Sequence, residues 1–82
     1  MASNQVSIGN DFFNAPSIVV PAGTTVTWTW NSGAEEHNVT FPDASSGDKS
    51  GGSTFTRQFT TPGTFSYHCT LHAGMTGSVL VQ

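Results

Sequence analysis

Hydrophobic and polar residues alternate along most of this chain, and Gly, Pro, Asn and Ser interrupt the alternation at short intervals. A period of two marks a strand with one buried face. Val6 and Ile8 alternate with polar neighbours until Gly9–Asn10–Asp11 breaks the run. Ser17 to Val20 is a short apolar stretch between Pro16 and Pro21, followed by an Ala22–Gly23 turn. Thr24 to Trp30 alternates strictly, with Val26, Trp28 and Trp30 on one face and Thr25, Thr27 and Thr29 on the other; Asn31–Ser32–Gly33 ends it. His37 to Phe41 reads as a further short strand, with Val39 and Phe41 on the face of His37. Pro42 to Ser53 is rich in Ser, Gly and Asp and reads as a flexible loop. Thr54 to Phe59 sets Phe55, Arg57 and Phe59 on one side, and Thr61–Pro62–Gly63 is a strong turn signal. Thr64 to Cys69 points Phe65, Tyr67 and Cys69 inward, and Thr76 to Val81 closes the chain.

This pattern predicts about seven short strands with turns roughly every 8–12 residues, an all-β sandwich or barrel. No stretch of a dozen residues carries a helical period. Trp28, Trp30 and the phenylalanines are expected in the core, although Phe12 and Phe13 are adjacent and only one can face inward from a regular strand. A chain of 82 residues is expected to form a single domain, residues 1–82, with one small core. Met1–Ala2–Ser3 reads as a start added for expression, and the given residues carry no signal-peptide pattern and no membrane anchor.

Composition narrows the chemistry. Only 9% of residues are charged and the formal net charge is −3, which excludes the basic face of a nucleic-acid binder. One cysteine excludes an intrachain disulfide, a Cys-rich zinc site and a ferredoxin-type cluster. That cysteine stands in Cys69–Thr70–Leu71–His72–Ala73–Gly74–Met75, where Cys69, His72 and Met75 recur every third residue in a loop between two strands. His37 lies upstream. A thiolate, two imidazoles and a thioether form the donor set of type 1 copper, a trigonal His₂Cys site with a long, weak axial Met. Thiolate and thioether favour Cu(I), and imidazole suits both oxidation states. Structural zinc sites rarely use Met. Taken singly, each residue has a plainer reading: a buried Cys acts as a small hydrophobe, Met fills gaps, and His occupies turns. The set of four, in an all-β chain with one Cys, outweighs those readings.

These segments resemble the cupredoxin family, in its plastocyanin, amicyanin and halocyanin branch. Pro16-x-Ile18-x-Val20-x-x-Gly23-x-x-Val26-x-Trp28 looks like the family's second and third strands, and His37–Asn38–Val39 like the segment of its upstream His ligand. Gly63-x-Phe65-x-Tyr67-x-Cys69-x-x-His72-x-x-Met75-x-Gly77 is similar to its ligand loop. The short Cys-to-Met loop looks most like amicyanin, and Trp28-x-Trp30 more like halocyanin. The resemblance implies a Greek-key β-sandwich of about seven to eight strands with one copper ion at one end. It implies Cys69, His37 and His72 as equatorial ligands and Met75 as the axial one. Asn38 matches a position that ties the two ligand segments together, with Thr70 as the other end of the tie.

On this reading the protein is a non-enzymatic one-electron carrier, a monomer that docks transient redox partners near His72 and Leu71. Ala73, Gly74 and Pro42 would extend an apolar rim around His72. The resemblance also implies a periplasmic or extracellular, cell-envelope location. Glu35 and Glu36 are better read as part of a solvated loop than as partner-steering charges. His68 resembles the His of the His-Cys pair in copper nitrite reductases, but a second copper centre needs three imidazoles and the chain has three His in all, two of them in the first set. The competing readings are a copper carrier or store without redox turnover, and a metal-free interaction module. Copper held only by the folded chain would also stabilise it by mass action.

Overall fold

In a computed structural model, which describes residues 4–10 and 12–82, the chain folds into seven strands in two sheets, with no helix among the described residues. The strands are β1 (Gln5–Gly9), β2 (Phe12–Asn14), β3 (Ser17–Val20), β4 (Thr24–Trp30), β5 (Thr54–Phe59), β6 (Gly63–His68) and β7 (Thr76–Val81). One sheet has the order β2-β1-β4-β5 and the other β3-β7-β6. Because the chain crosses between sheets after β2, β3 and β5, β1 runs parallel to β4 and β3 parallel to β7; the other pairs are antiparallel. This is the Greek-key β-sandwich that the resemblance implied. Met1–Ala2–Ser3 and Asp11 lie outside the described residues.

The period-two faces meet in one core. Val6 and Ile8 of β1, and Val26, Trp28 and Trp30 of β4, are buried against Ile18, Val20, Tyr67, Val79 and Val81 of the other sheet. Trp28 sits at the centre, with its ring centroid 5.8 Å from Phe41, 5.7 Å from Phe55 and 5.4 Å from Tyr67 across the sandwich. Aromatic pairs of this kind contribute about 0.5–1.5 kcal/mol each beyond area burial. Tyr67 pairs in register with Gly77 on β7, and a Cβ at Gly77 would enter the tyrosine ring. Glycine there leaves the space that the Tyr67 ring occupies. Burial pushes the Tyr67 phenol up from its ordinary pKa, and the nearby Trp28 indole N–H offsets part of that rise without reaching hydrogen-bond geometry.

Four expectations need correction. Phe12–Asn14 forms β2, which the pattern missed; Phe13 is buried and Phe12 is 54% exposed, so only one of the adjacent pair faces inward, as expected. Phe55 and Phe65 are only partly buried, packed on the edge of the core. His37 to Phe41 is not a regular strand but a run of isolated bridges, His37 with Lys49 and Thr40 with both Ser45 and His68. Its backbone groups are shared between two neighbours, so no single ladder forms. The Pro42–Ser53 segment is tied down rather than loose. Lys49 and His37 exchange backbone bonds of 2.9 and 3.0 Å, and the Gly51 N–H donates to Gly33 O at 2.6 Å. Arg57 forks onto Asp43 with two 3.0 Å bonds while its guanidinium lies 4.5 Å from the centre of the Phe41 ring.

Candidate metal centre

Cys69 follows directly after β6, and its side chain continues the inward face of Phe65 and Tyr67 into the end of the sandwich. The loop from Cys69 to Met75 then turns back into β7. It is closed by the Cys69 N–H donating to Met75 O at 2.9 Å, and the Met75 N–H donates to His72 O at 3.3 Å. Cys69 and Met75 are both buried, and the His72 side chain is 29% exposed. The upstream segment lies alongside: Thr40 and His68 exchange backbone bonds of 2.9 and 3.0 Å. That pairing carries His37, which is wholly buried, to the same end.

Two of the donor atoms are paired, and the second imidazole lies beside the first. His37 Nδ1 lies 3.9 Å from Cys69 Sγ, and the two imidazole rings are 4.6 Å apart between centroids. Metal bonds of about 2.1 Å to nitrogen and 2.3 Å to sulfur, at a trigonal angle, set N and S about 3.8 Å apart. The His37–Cys69 separation therefore suits a metal ion shared between them. With a buried thioether in the same loop as Cys69 and His72, the donor chemistry is consistent with a single type 1 copper site.

A network around Asn38 joins the two segments. Its backbone N–H donates to Cys69 Sγ at 3.5 Å. Its side-chain amide donates to Thr70 Oγ1 at 2.8 Å and to Asp48 Oδ1 at 3.0 Å. Its carbonyl oxygen accepts from the Thr70 N–H at 3.0 Å and from the Thr40 hydroxyl at 2.8 Å. Asn38 is buried although its side chain is polar, and every donor and acceptor of its amide has a partner. Trp30 adds a second tie, its indole N–H donating to His37 O at 2.9 Å.

The structure brings His37, Asn38, Cys69, Thr70, His72 and Met75 to one end of the sandwich. Leu71 is 46% exposed in the loop beside His72. Pro42 falls elsewhere, in a shallow cleft with His68, Tyr67 and Thr76. His68 is exposed on the face opposite Cys69, as alternation requires. Sequence reasoning passed over Asp48, Thr40 and the Trp30 indole, whose roles depend on contacts between distant segments. It also set Glu35 aside as solvated, whereas Glu35 Oε1 lies 3.0 Å from His37 Nε2 and 3.8 Å from His72 Nε2. A carboxylate two residues before a candidate His ligand was the signal available.

Comparison with known proteins agrees with this geometry. The profile of copper-binding proteins of the plastocyanin/azurin family matches residues 2–82. Amicyanin-alpha of Methylorubrum extorquens is 36% identical over 87 aligned positions, which cover 98% of this chain and 72% of that protein. The chloroplastic plastocyanin of Tetradesmus obliquus is 36% identical over 85% of this chain, which spans only 58% of that relative's length. The solved structure of an oxidised amicyanin variant superposes with a TM-score of 0.87 at 32% identity, covering 95% of this chain and 80% of that one.

Proposed function

The chain belongs to the plastocyanin/azurin family of copper-binding proteins, and from that premise we propose that it is a type 1 copper protein carrying one electron at a time between redox partners. The observation that carries this reading is the buried Cys69 sulfur, 3.5 Å from the Asn38 N–H and 3.9 Å from His37 Nδ1. Cys69, His37, His72 and Met75 are the residues that would hold the copper ion, the thioether of Met75 as the weakest donor of the four. Bound among them, copper supplies a one-electron couple between Cu(I) and Cu(II). The protein's part is to hold the donors still. Asn38 and Thr70 lock the two ligand segments, and the Cys69–Met75 backbone bond fixes the loop, so little rearrangement accompanies a change of charge.

Residues 1–82 act as one domain, a monomer outside the cytoplasm, a location supported by family membership alone. The chain works as a carrier rather than an enzyme. His72, partly exposed beside Leu71, is the port through which the electron passes, and partners dock there transiently over a small area. The test is a visible spectrum of the metal-free protein titrated with Cu(II). A strong band near ~600 nm, bleached by ascorbate and restored by an oxidant, is expected of a His₂Cys site. Cys69→Ser should abolish it. A colourless complex that does not cycle would instead indicate a copper store and refute the carrier.

A further inference from the structure

The Glu35 carboxylate meets both imidazoles of the site. Its Oε1 is 3.0 Å from His37 Nε2 and 3.8 Å from His72 Nε2, and together these three side chains hold donor atoms within 4.8 Å of one another. It is held in place by the turn after β4. The buried Ser32 hydroxyl donates to Glu35 O at 2.8 Å. The Asn10 amide, oriented to satisfy its neighbours, donates to Glu35 Oε1 and to Ser32 O, both at 3.1 Å. A side chain that is 42% exposed is thus fixed from the protein side.

The chemistry of this contact is one-sided. A neutral imidazole has one donor and one acceptor nitrogen, and an ionised carboxylate only accepts. The 3.0 Å approach falls outside hydrogen-bond geometry, but a carboxylate this close favours the hydrogen on the nitrogen that faces it and leaves the other, Nδ1, to present its lone pair. Nδ1 is the atom that faces Cys69 Sγ. We propose that Glu35 is a positioning residue that sets the His37 tautomer and ring orientation for metal binding before any metal arrives, and that its charge then favours the oxidised, more positive site. This rests on the copper reading above and extends it to a residue outside the ligand set. Acting through imidazole in this way, a carboxylate raises ligand basicity and orients the ring.

The test compares the wild-type chain with Glu35→Gln and with Glu36→Gln, which removes the same formal charge one residue along. In the metal-free wild type with its imidazoles neutral, long-range ¹H–¹⁵N correlation should show the His37 proton on Nε2. This measurement needs no variant, so it stands even if Glu35→Gln folds poorly. Glu35→Gln should lower Cu(II) affinity by about 10–100-fold, and Cu(I) affinity by less. Each tenfold difference between the two raises the potential by about 59 mV for one electron. Glu36→Gln should shift the potential far less, because the charge of this exposed residue is screened by salt. A wild-type His37 proton on Nδ1, or equal shifts in the two variants, overturns the proposal. A wild type without the ~600 nm band overturns the copper reading and this inference with it. A normal band with unaltered Glu35→Gln affinity overturns the inference alone.

Discussion

Asn38→Ala should be among the most damaging polar substitutions in this protein. It deletes four side-chain hydrogen bonds, two to Thr70 and one each to Asp48 and Thr40. At about 0.5–1.5 kcal/mol net each, these amount to roughly 2–6 kcal/mol. Thr70 and Asp48 are exposed, so water replaces part of the loss and the lower half of that range, about 2–4 kcal/mol, is expected. A chain of this length has a total stability of only about 4–12 kcal/mol. The substitution therefore removes a large share, and the midpoint of thermal unfolding should fall by roughly 10–25 °C. Urea unfolding of the metal-free protein, followed by the fluorescence of Trp28 and Trp30, measures it directly. A double-mutant cycle with Thr70→Ala isolates the bond from the amide to the hydroxyl, since the Thr70 backbone donor survives that change. Its coupling should be at least about 0.5 kcal/mol. A loss below about 0.5 kcal/mol for Asn38→Ala, or strictly additive variants, would show that the network orders nothing that the backbone had not already ordered.

Gly77→Ala should destabilise by about 1–3 kcal/mol, because the new methyl group enters the Tyr67 ring and the buried strand pair must part; an unchanged urea midpoint would mean that the ring moves aside freely. The Arg57 fork on Asp43 holds that carboxyl below the usual carboxylate range, through its hydrogen bonds first and its charge second. Since the folded pKa is depressed, the contribution of the pair is present above the unfolded pKa and is lost as pH falls through the folded one. A ¹³C titration of the Asp43 carboxyl should therefore have a low midpoint that Arg57→Gln restores to normal, and an ordinary midpoint in the wild type contradicts the pairing. Met75→Leu should keep the visible band and shift the reduction potential; a potential that does not move removes Met75 from the axial role.

Six of the seven strands were legible because burial on one face repeats every second residue, and each repeat adds to the same signal. β2 was not, since three residues cannot establish a period and Phe12 and Phe13 look alike in sequence while only Phe13 is buried. The donor residues stood out by chemistry, three of them within one loop where spacing alone brings them near. The segment from His37 to Phe41 misled for a physical reason. Alternation assigns His37, Val39 and Phe41 inward and leaves Asn38 outward, which assumes that the outward side meets water. Here it meets Thr70 and Asp48, so Asn38 is as buried as its neighbours. Hydrogen bonding across two separate segments is made once, by one side chain, and leaves no period behind. The same holds for Glu35, whose contact with His37 exists only because the Ser32–Glu35 turn folds it back. In a domain this small, the interactions that repeat build the sandwich, and those that occur once decide what its open end can hold.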